Sequence, residues 1–353
     1  MPEASAPDPE RVTLRHIAER ANVHVATVSK ALHHHPKLAA ATRERICRIA
    51  EEMGYVPDPQ LAVLTAYRHG KRGPGRETVA LIHPPNPAHP EEVSNPQGSP
   101  WTRKLIDYAK TQGFDIDSFD AGDPQLSNER LDQILQSRGI RGLIVSARTF
   151  HPFELELSWE RYAAVAFGLS LRKPNIIALT DHPYTNTRIA FDALRSRGYE
   201  RIGLVRDRAG ETRVGEQCLG AYLAASQIET STKQLPPYLF ESFDGTAFRE
   251  WYDAHRPDAL LLGPKRHLDA VRETGLAVPA DCAAALLNVT RSGRGDFAGI
   301  DLRLDNAIHK TIDVVAAALQ RREYGPPAER LYYLIEGVWV DGATCPDRSV
   351  VTP

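Results

Sequence analysis

Residues 13–32 read TLRHIAERANVHVATVSKAL, and residues 42–58 continue as TRERICRIAEEMGYVPD. Apolar residues recur through both at helical spacing: Leu14, Ile17 and Ala18 on one stripe, Val23, Val28, Ala31 and Leu32 on a second, Ile46, Ile49, Ala50 and Met53 on a third. Three short helices that bury these stripes against one another are expected. Thr13 suits the N-cap of the first helix, and Ala21-Asn22-Val23 is short enough for a tight turn into the second. This is helix-turn-helix spacing.

Working outward, the charge around this stretch is uneven. Residues 11–76 hold twelve Lys/Arg against five Asp/Glu, a net +7, within a chain whose total is −2. A basic head therefore sits on an acidic body, and such a head is drawn to phosphates. A merely solvated charged face is the alternative that charge alone leaves open. At 353 residues the chain exceeds one ordinary core, so two or three domains are expected. With 42% hydrophobic and 25% charged residues the composition is that of a globular protein, and no apolar run reaches the roughly 18 residues of a membrane span. The opening MPEASAPDPE (1–10) reads as a disordered lead-in and does not resemble a secretory signal. Cys47, Cys218, Cys282 and Cys345 are scattered without CxxC spacing, which argues against zinc or a disulfide framework and fits a reducing cytoplasm.

Beyond Gly54, the segment YVPDPQLAVLTAYRHGKRGPGRE has Asp58 to cap and Pro59 to open a short helix over 59–67, followed by a flexible tail at 70–76. So short a helix needs a partner to hold it. From Thr78 the texture changes to apolar runs alternating with helical segments. Strands are expected near 78–82, 115–119, 142–146, 163–167, 176–179, 201–205, 259–262, 283–287 and 331–335, with helices between them. That alternation predicts an α/β body of parallel sheets flanked by helices.

Residues 13–32 match the pattern T-L-x-x-I-A-x-x-A-x-V-x-x-x-T-V-S-[RK]-A-L, followed by T-R-E-R and G-Y-x-P, at about fifteen positions without a break in spacing. The segment resembles the DNA-binding head of the lactose and galactose repressor family. The resemblance implies an all-α head at 11–56, a hinge helix and linker at 57–76, and a two-lobed, periplasmic-binding-protein-like body at 77–353. It places the second helix in the major groove, with Val25 and Ala26 against thymine methyl groups and Lys30 donating to guanine or phosphate. Lys30 stands where family members usually carry Arg, which removes the bidentate fork. Thr13, Thr27, Ser29 and Thr42 are expected at phosphates. Leu14, Arg15, His24, His33, Tyr55 and Leu61 complete the expected DNA surface. Leu64, nine residues after Tyr55, is the expected wedge into the minor groove. His33, His34 and His35 read as a backbone-touching turn, with no metal. His24 replaces a usual serine and Ala39 a usual capping Ser, so each is expected to cost the head roughly 1 kcal/mol.

The body's resemblance is looser and rests on TDHPYTNTRIAFDALRSRGYERIGLV, RPDALLLGPKRHLDAVRETGLAVPAD and the stretch from Gly299 to about Gln320. It implies a first lobe at about 77–174 and 291–324, a second at about 175–290 and 325–353, and an effector cleft between them. Family sugar-contacting positions are mostly replaced: Gln217 stands for an arginine, Pro264 and Lys265 for Asn-Asp, residues 287–290 (LNVT) for Gly-[FY]-Asp-Asp, and Gly168 for a carboxylate. Candidate cleft residues are His83, Asn86, Trp101, Phe150, Asp181, Arg213, Gln217 and Asn288. Either the effector is unlike a free sugar, bulkier or more aromatic-stacked, or the body mainly dimerises and has lost its response.

No GxGxxG after a strand, Walker loop, GxSxG or HExxH is present, which argues against an enzyme. A solute-binding protein shares the body fold but would need export and no DNA head. The resemblance thus implies a homodimeric regulator, a repressor by default, on a pseudo-palindromic double-stranded operator. It is expected to be cytoplasmic and nucleoid-associated, to answer to a small-molecule effector, to need no cofactor, and to have no membrane partner.

Overall fold

The computed structural model describes residues 12–32, 39–53, 55, 76–84, 100–147, 152–228, 234–290 and 293–349, with backbone alone at Ser29, Lys30 and Ala40. The chain divides into two compact units, residues 1–73 and 74–353.

In the first unit, α1 (Leu14–Ala21), α2 (Val25–Leu32) and α3 (Ala40–Glu52) all touch one another. Their stripes meet in a core of Ile17, Ala18, Ala21, Val28, Ala31, Ile46 and Ala50. Thr13 caps α1 reciprocally with His16: its hydroxyl accepts from the His16 N–H, and His16 Nδ1 accepts from the Thr13 N–H, each at 3.4 Å. Asn22 ends α1 at φ 50°, the left-handed turn that Asn tolerates. Arg45 of α3 donates to the Ala21 carbonyl at 3.2 Å, tying the third helix to the turn.

The expected cap deficit is half wrong. His24 Nδ1 accepts from the Ala26 N–H at 3.3 Å, so the imidazole takes the place of the missing hydroxyl at the start of α2. Ala39 opens α3 with no side-chain cap. The hinge helix expected at 59–67 lies outside the described residues.

The body holds two six-stranded sheets. The first runs β13 (Tyr332–Ile335), β7 (Ile177–Asp181), β5 (Ala163–Gly168), β3 (Gly142–Ala147), β1 (Glu77–His83), β2 (Phe114–Asp120), all parallel. Along β1, Val79 and Leu81 enter the core beneath α4 (Pro100–Thr111) and α11 (Leu304–Arg321), while Ala80 and Ile82 enter the opposite core with α5 (Asn128–Ser137). The period of two thus buries both faces. A small ladder of β4 (Phe153–Glu154) and β6 (Leu171–Lys173) lies alongside in chain order.

The second sheet runs β14 (Val338–Val340), β12 (Ala298–Asp301), β11 (Ala283–Leu286), β10 (Ala259–Leu262), β8 (Ile202–Asp207), β9 (Tyr238–Phe240), with β14 antiparallel. One face carries α6 (Pro183–Ser196) and α8 (Gln217–Ile228), the other α9 (Gly245–His255) and α10 (Lys265–Glu273). The short α7 (Arg208–Arg213) follows β8 directly.

The chain changes lobes later than expected at each crossing. β7, assigned by the sequence to the second lobe, pairs Val165 with Ile177 and so belongs to the first. β12, assigned to the first, pairs Ala285 with Ala298 in the second. β13 returns to the first sheet beside β7 before the chain crosses again at Glu336 and Gly337. An apolar run buries equally well in either sheet, so its pattern fixes a strand but not its partner.

Candidate functional site

The head presents its sequence-predicted residues unequally. Thr13, Arg15, His24, Val25 and Ala26 are exposed, with Val25 at 38% the one large apolar side chain among the described head residues left so open. Thr27 and Thr42 are half-buried. Leu14 and Tyr55 pack against the head core, which gives them a scaffold part. The exposed patch is the N-terminal turn of α2, its backbone fixed by the His24 cap and by the Thr27 N–H donating to the His24 carbonyl at 2.8 Å. Small and apolar side chains there allow a close approach by a flat partner. The side chains of Ser29 and Lys30, and His33, Leu61 and Leu64, lie outside the described residues.

In the body, the carboxyl ends of β5 and β7, the end of α7 and the crossing that leads into α11 build a cavity. Its polar edge is Thr180 and Asp181 from β7 with Arg213 at the end of α7; its apolar wall is Phe167, Gly168, Leu302, Leu304 and Ala307. The enclosed space is about 10 Å3, room for about one water. Two predicted residues, Asp181 and Arg213, thus meet in one place. Two more lie behind its wall without lining it: Trp101 is 5.5 Å from Phe167 between ring centroids, and His83 is 6.1 Å from Trp101. Gln217 and Asn288 are half-buried and do not line this cavity, and Asn86 and Phe150 lie outside the described residues. Phe167 and Thr180 were missed as site residues because they sit inside apolar strands, where the sequence reads only core; their place at carboxyl strand ends was the available signal.

Burial lowers the His83 pKa to about 4, so the ring is neutral at ordinary pH. Arg172 of β6 donates to the Thr212 carbonyl at 3.5 Å, a direct link between the lobes beside the cavity.

At the carboxyl ends of β8 and β10, a second polar cluster is closed on itself. Arg206 donates to Glu211 at 2.6 Å, and Glu211 also accepts the Leu219 N–H at 2.9 Å. Asp207 caps α7 by accepting from the Gly210 N–H at 2.9 Å and pairs with His267 Nε2 at 3.2 Å. Burial alone would raise the Asp207 pKa, but the His267 hydrogen bond and the Arg206 and Arg266 charges outweigh it and hold the carboxyl well below its usual range. Burial keeps His267 neutral against the pull of Asp207, so its Nε2–H donates to an ionised carboxylate. Gly263 leaves room for this pair: a Cβ there would lie 2.7 Å from both Arg206 Nη1 and His267 Nδ1. The replaced family positions at Pro264 and Lys265 therefore follow a strand end filled by the protein's own charges. Among the described residues no group of three or more His, Cys, Asp or Glu could hold a metal, and no helix is long and apolar enough to cross a membrane.

Residues 13–58 match the lacI family of bacterial regulatory proteins. The HTH-type transcriptional repressor CytR of Escherichia coli (strain K12) is 26% identical over 196 residues, 55% of this chain and 53% of the relative. Catabolite control protein B of Bacillus subtilis (strain 168) is 24% identical over 193 residues, 54% of this chain and 56% of the relative. The chain thus spans about half the length of these curated relatives in the match. Among solved structures, a complex of the transcriptional regulator CelR with cellobiose superposes with a TM-score of 0.56 at 18% identity, covering 95% of this chain and 100% of that one. The lac repressor dimer bound to operator and the anti-inducer ONPF gives 0.55 at 17%, covering 95% and 99%. At such identity these likenesses speak to fold. The head at residues 13–58 thus matches the lacI family of bacterial regulatory proteins in sequence, and the chain as a whole shares the fold of these solved regulators.

Proposed function

We propose that the protein is a homodimeric transcription regulator of the cytoplasm and nucleoid, a repressor, that binds a pseudo-palindromic operator through its head and answers to a small molecule between the lobes of its body. The observation that carries this reading is the first turn of α2, where His24, Val25 and Ala26 are consecutively exposed on a scaffold matched to the lacI family. Val25 and Ala26 would meet thymine methyl groups, and Lys30 a guanine or a phosphate. Thr13, Arg15, Thr27, Ser29, His33 and Thr42 would fix the head on the backbone. Leu61 and Leu64 would belong to a hinge that reaches the minor groove, with Leu64 the wedge. The relatives' names support a regulator, and the solved lac repressor dimer on its operator shows that the fold serves that use in another protein. None of the relatives named above is an enzyme, which fits a chain whose chemistry is recognition.

The test is selection of bound genomic fragments by the full chain, followed by anisotropy titration on the selected site at several salt concentrations. A symmetric site, a steep loss of affinity with salt, and at least tenfold weaker binding by Val25→Glu are expected, since each base-edge contact is worth about 1–3 kcal/mol. Binding without site preference would sink the reading.

The small enclosed volume favours a second reading, a constitutive regulator whose body only dimerises. Operator affinity that no small molecule alters would decide for it.

A further inference from the structure

Of the seven large apolar side chains left exposed among the described residues, five gather along one edge of the body. Leu331, Tyr332, Tyr333 and Leu334 are consecutive and between 41% and 50% exposed. Tyr184 stands two residues beyond His182, whose N–H donates to the Ile335 carbonyl at 3.0 Å. This edge is β13, which ends the first sheet and, among the described residues, has a strand on one side only. The Leu331 and Ile335 carbonyls accept from the Ala178 and His182 N–H groups, so odd-numbered residues of β13 turn their backbone groups toward β7. By the alternation of a strand, Tyr332 and Leu334 turn theirs outward. Charges on an edge keep it from pairing, and β2 at the other end of the sheet carries Asp115, Asp117 and Asp120. β13 has none between Arg330 and Glu336.

An open, uncharged, apolar edge accepts another strand, and this one is complementary to itself. When two copies of RLYYLIE (330–336) run antiparallel about a twofold axis at Tyr333, Tyr332 of each faces Leu334 of the other. Both residues have outward backbone groups, so each such pair exchanges two hydrogen bonds. Leu331 then faces Ile335, and Arg330 faces Glu336, so opposite charges close the apolar run at either end. Arg330 is anchored through Nη2 to the Leu171 carbonyl at 2.8 Å, and its Nε has no partner, while Glu336 is exposed. Moving the axis to midway between Tyr332 and Tyr333 would set outward residues against inward ones and Glu329 against Glu336. Moving it to Tyr332 or Leu334 would leave Arg330 opposite Leu334 or Val338, without a carboxylate. We propose that β13 is an interface on which a second copy of this chain seats its own β13 antiparallel, joining the first sheets of the two copies edge to edge. No residue of the head or of the inter-lobe cavity takes part, so the proposal stands apart from the regulator reading.

The test is sedimentation equilibrium of the full chain over a concentration series, with Leu334→Lys alongside. The lysine puts a charge on the open edge and is expected to weaken self-association about tenfold or more, equivalent to about 1.4 kcal/mol, with the melting temperature unchanged. Two cysteine variants test the register, each made with Cys47→Ser because Cys47 is half-buried and the other native thiols are buried. Tyr333→Cys is expected to form a disulfide between copies under mild oxidation, because facing residues of a non-hydrogen-bonded pair lie about 4.5 Å apart at Cα, within disulfide reach. Leu331→Cys, displaced along the strand from its own counterpart, is expected to stay reduced. The proposal is overturned if Leu334→Lys associates as the unmodified chain does, or if Leu331→Cys cross-links as readily as Tyr333→Cys. A chain that stays single at every concentration also overturns it and leaves the edge to a strand of another protein. Loss of operator binding by the unmodified chain would remove the regulator reading and leave this one standing.

Discussion

At the scale of single residues, two histidines take on work that their positions in the sequence do not announce. His24 interrupts a family pattern that has serine there, which suggested a missing cap, yet its Nδ1 accepts from the Ala26 N–H. His24→Ala is expected to destabilise the head by about 1 kcal/mol and His24→Ser to restore it, as read by hydrogen exchange of the α2 amides. Unchanged protection in His24→Ala would show the contact to be idle. His83 acts through its neutral form. Its pKa is lowered to about 4 by burial, against about 6.5 in an unfolded chain. Above the unfolded value the ring is neutral in both states and costs nothing. As the pH falls from about 6.5 toward 4, only the unfolded state takes up the proton, so stability declines by about 1.4 kcal/mol per pH unit, about 3 kcal/mol in all. Urea unfolding across that window is expected to show a shallower decline in His83→Leu, the remaining slope coming partly from His267, which burial also keeps neutral. Parallel slopes for the two proteins would place His83 in contact with water.

At the scale of elements, what was legible in the sequence and what was not divide along a physical line. The hydrophobic runs of β1, β3, β5, β10 and β11 each stand out locally, because burial on both faces keeps them almost wholly apolar, with Ser146 in β3 and the ends of β1 the exceptions. The three head helices stand out for the same reason at a different period. β12, with the sequence AGID, does not, because a glycine and an acid dilute its signal. Its glycine is nevertheless what the fold requires: Gly299 sits at φ 144°, and a Cβ there would lie 2.0 Å from the Leu286 carbonyl oxygen. Gly299→Ala is therefore expected to cost about 3 kcal/mol or more, because the obstruction is backbone that cannot turn aside. Exchange protection should fall first in β11, β12 and β14 of the second lobe, and an unfolding midpoint equal to that of the unmodified chain would refute the clash. The candidate cleft was half legible. Asp181 announces itself as a charge at the end of the apolar run IIAL, whereas Arg213 lies in the charged stretch DRAGETRVGE and Phe167 is one more apolar letter in AAVAFG, so that only the fold brings them to the cavity.

At the scale of the whole body, the partition of strands between lobes escaped the sequence because it depends on contacts among distant crossings, and those crossings converge on one buried side chain. Asn186, 2% exposed on α6, accepts from the Gly337 N–H at 2.7 Å through Oδ1 and reaches Asp181 at 3.5 Å through Nδ2. Asp181 ends β7 at the first crossing, and Gly337 lies at the last. The middle crossing arrives at the same point: a Cβ on Gly337 would stand 2.4 Å from Ile300 and 2.9 Å from the Asp301 carbonyl oxygen. Asp301 in turn accepts from the Arg303 N–H at 2.8 Å and pairs with Arg294. Asn186 thus ties the first and last of the three links together, with the middle one packed beside Gly337. Removing the Asn186 side chain leaves the buried Gly337 N–H without its acceptor, a loss of about 1–3 kcal/mol. Unlike Gly299→Ala, which acts inside one sheet, Asn186→Ala is expected to lower exchange protection at the ends of β7 and β12 together, since one side chain serves both lobes. It should also change how far any cleft ligand shifts the melting temperature, because closure draws on the same linkage. Loss of protection confined to the second lobe, with ligand shifts intact, would mean that Asn186 merely caps a local turn and that the lobes are held together elsewhere.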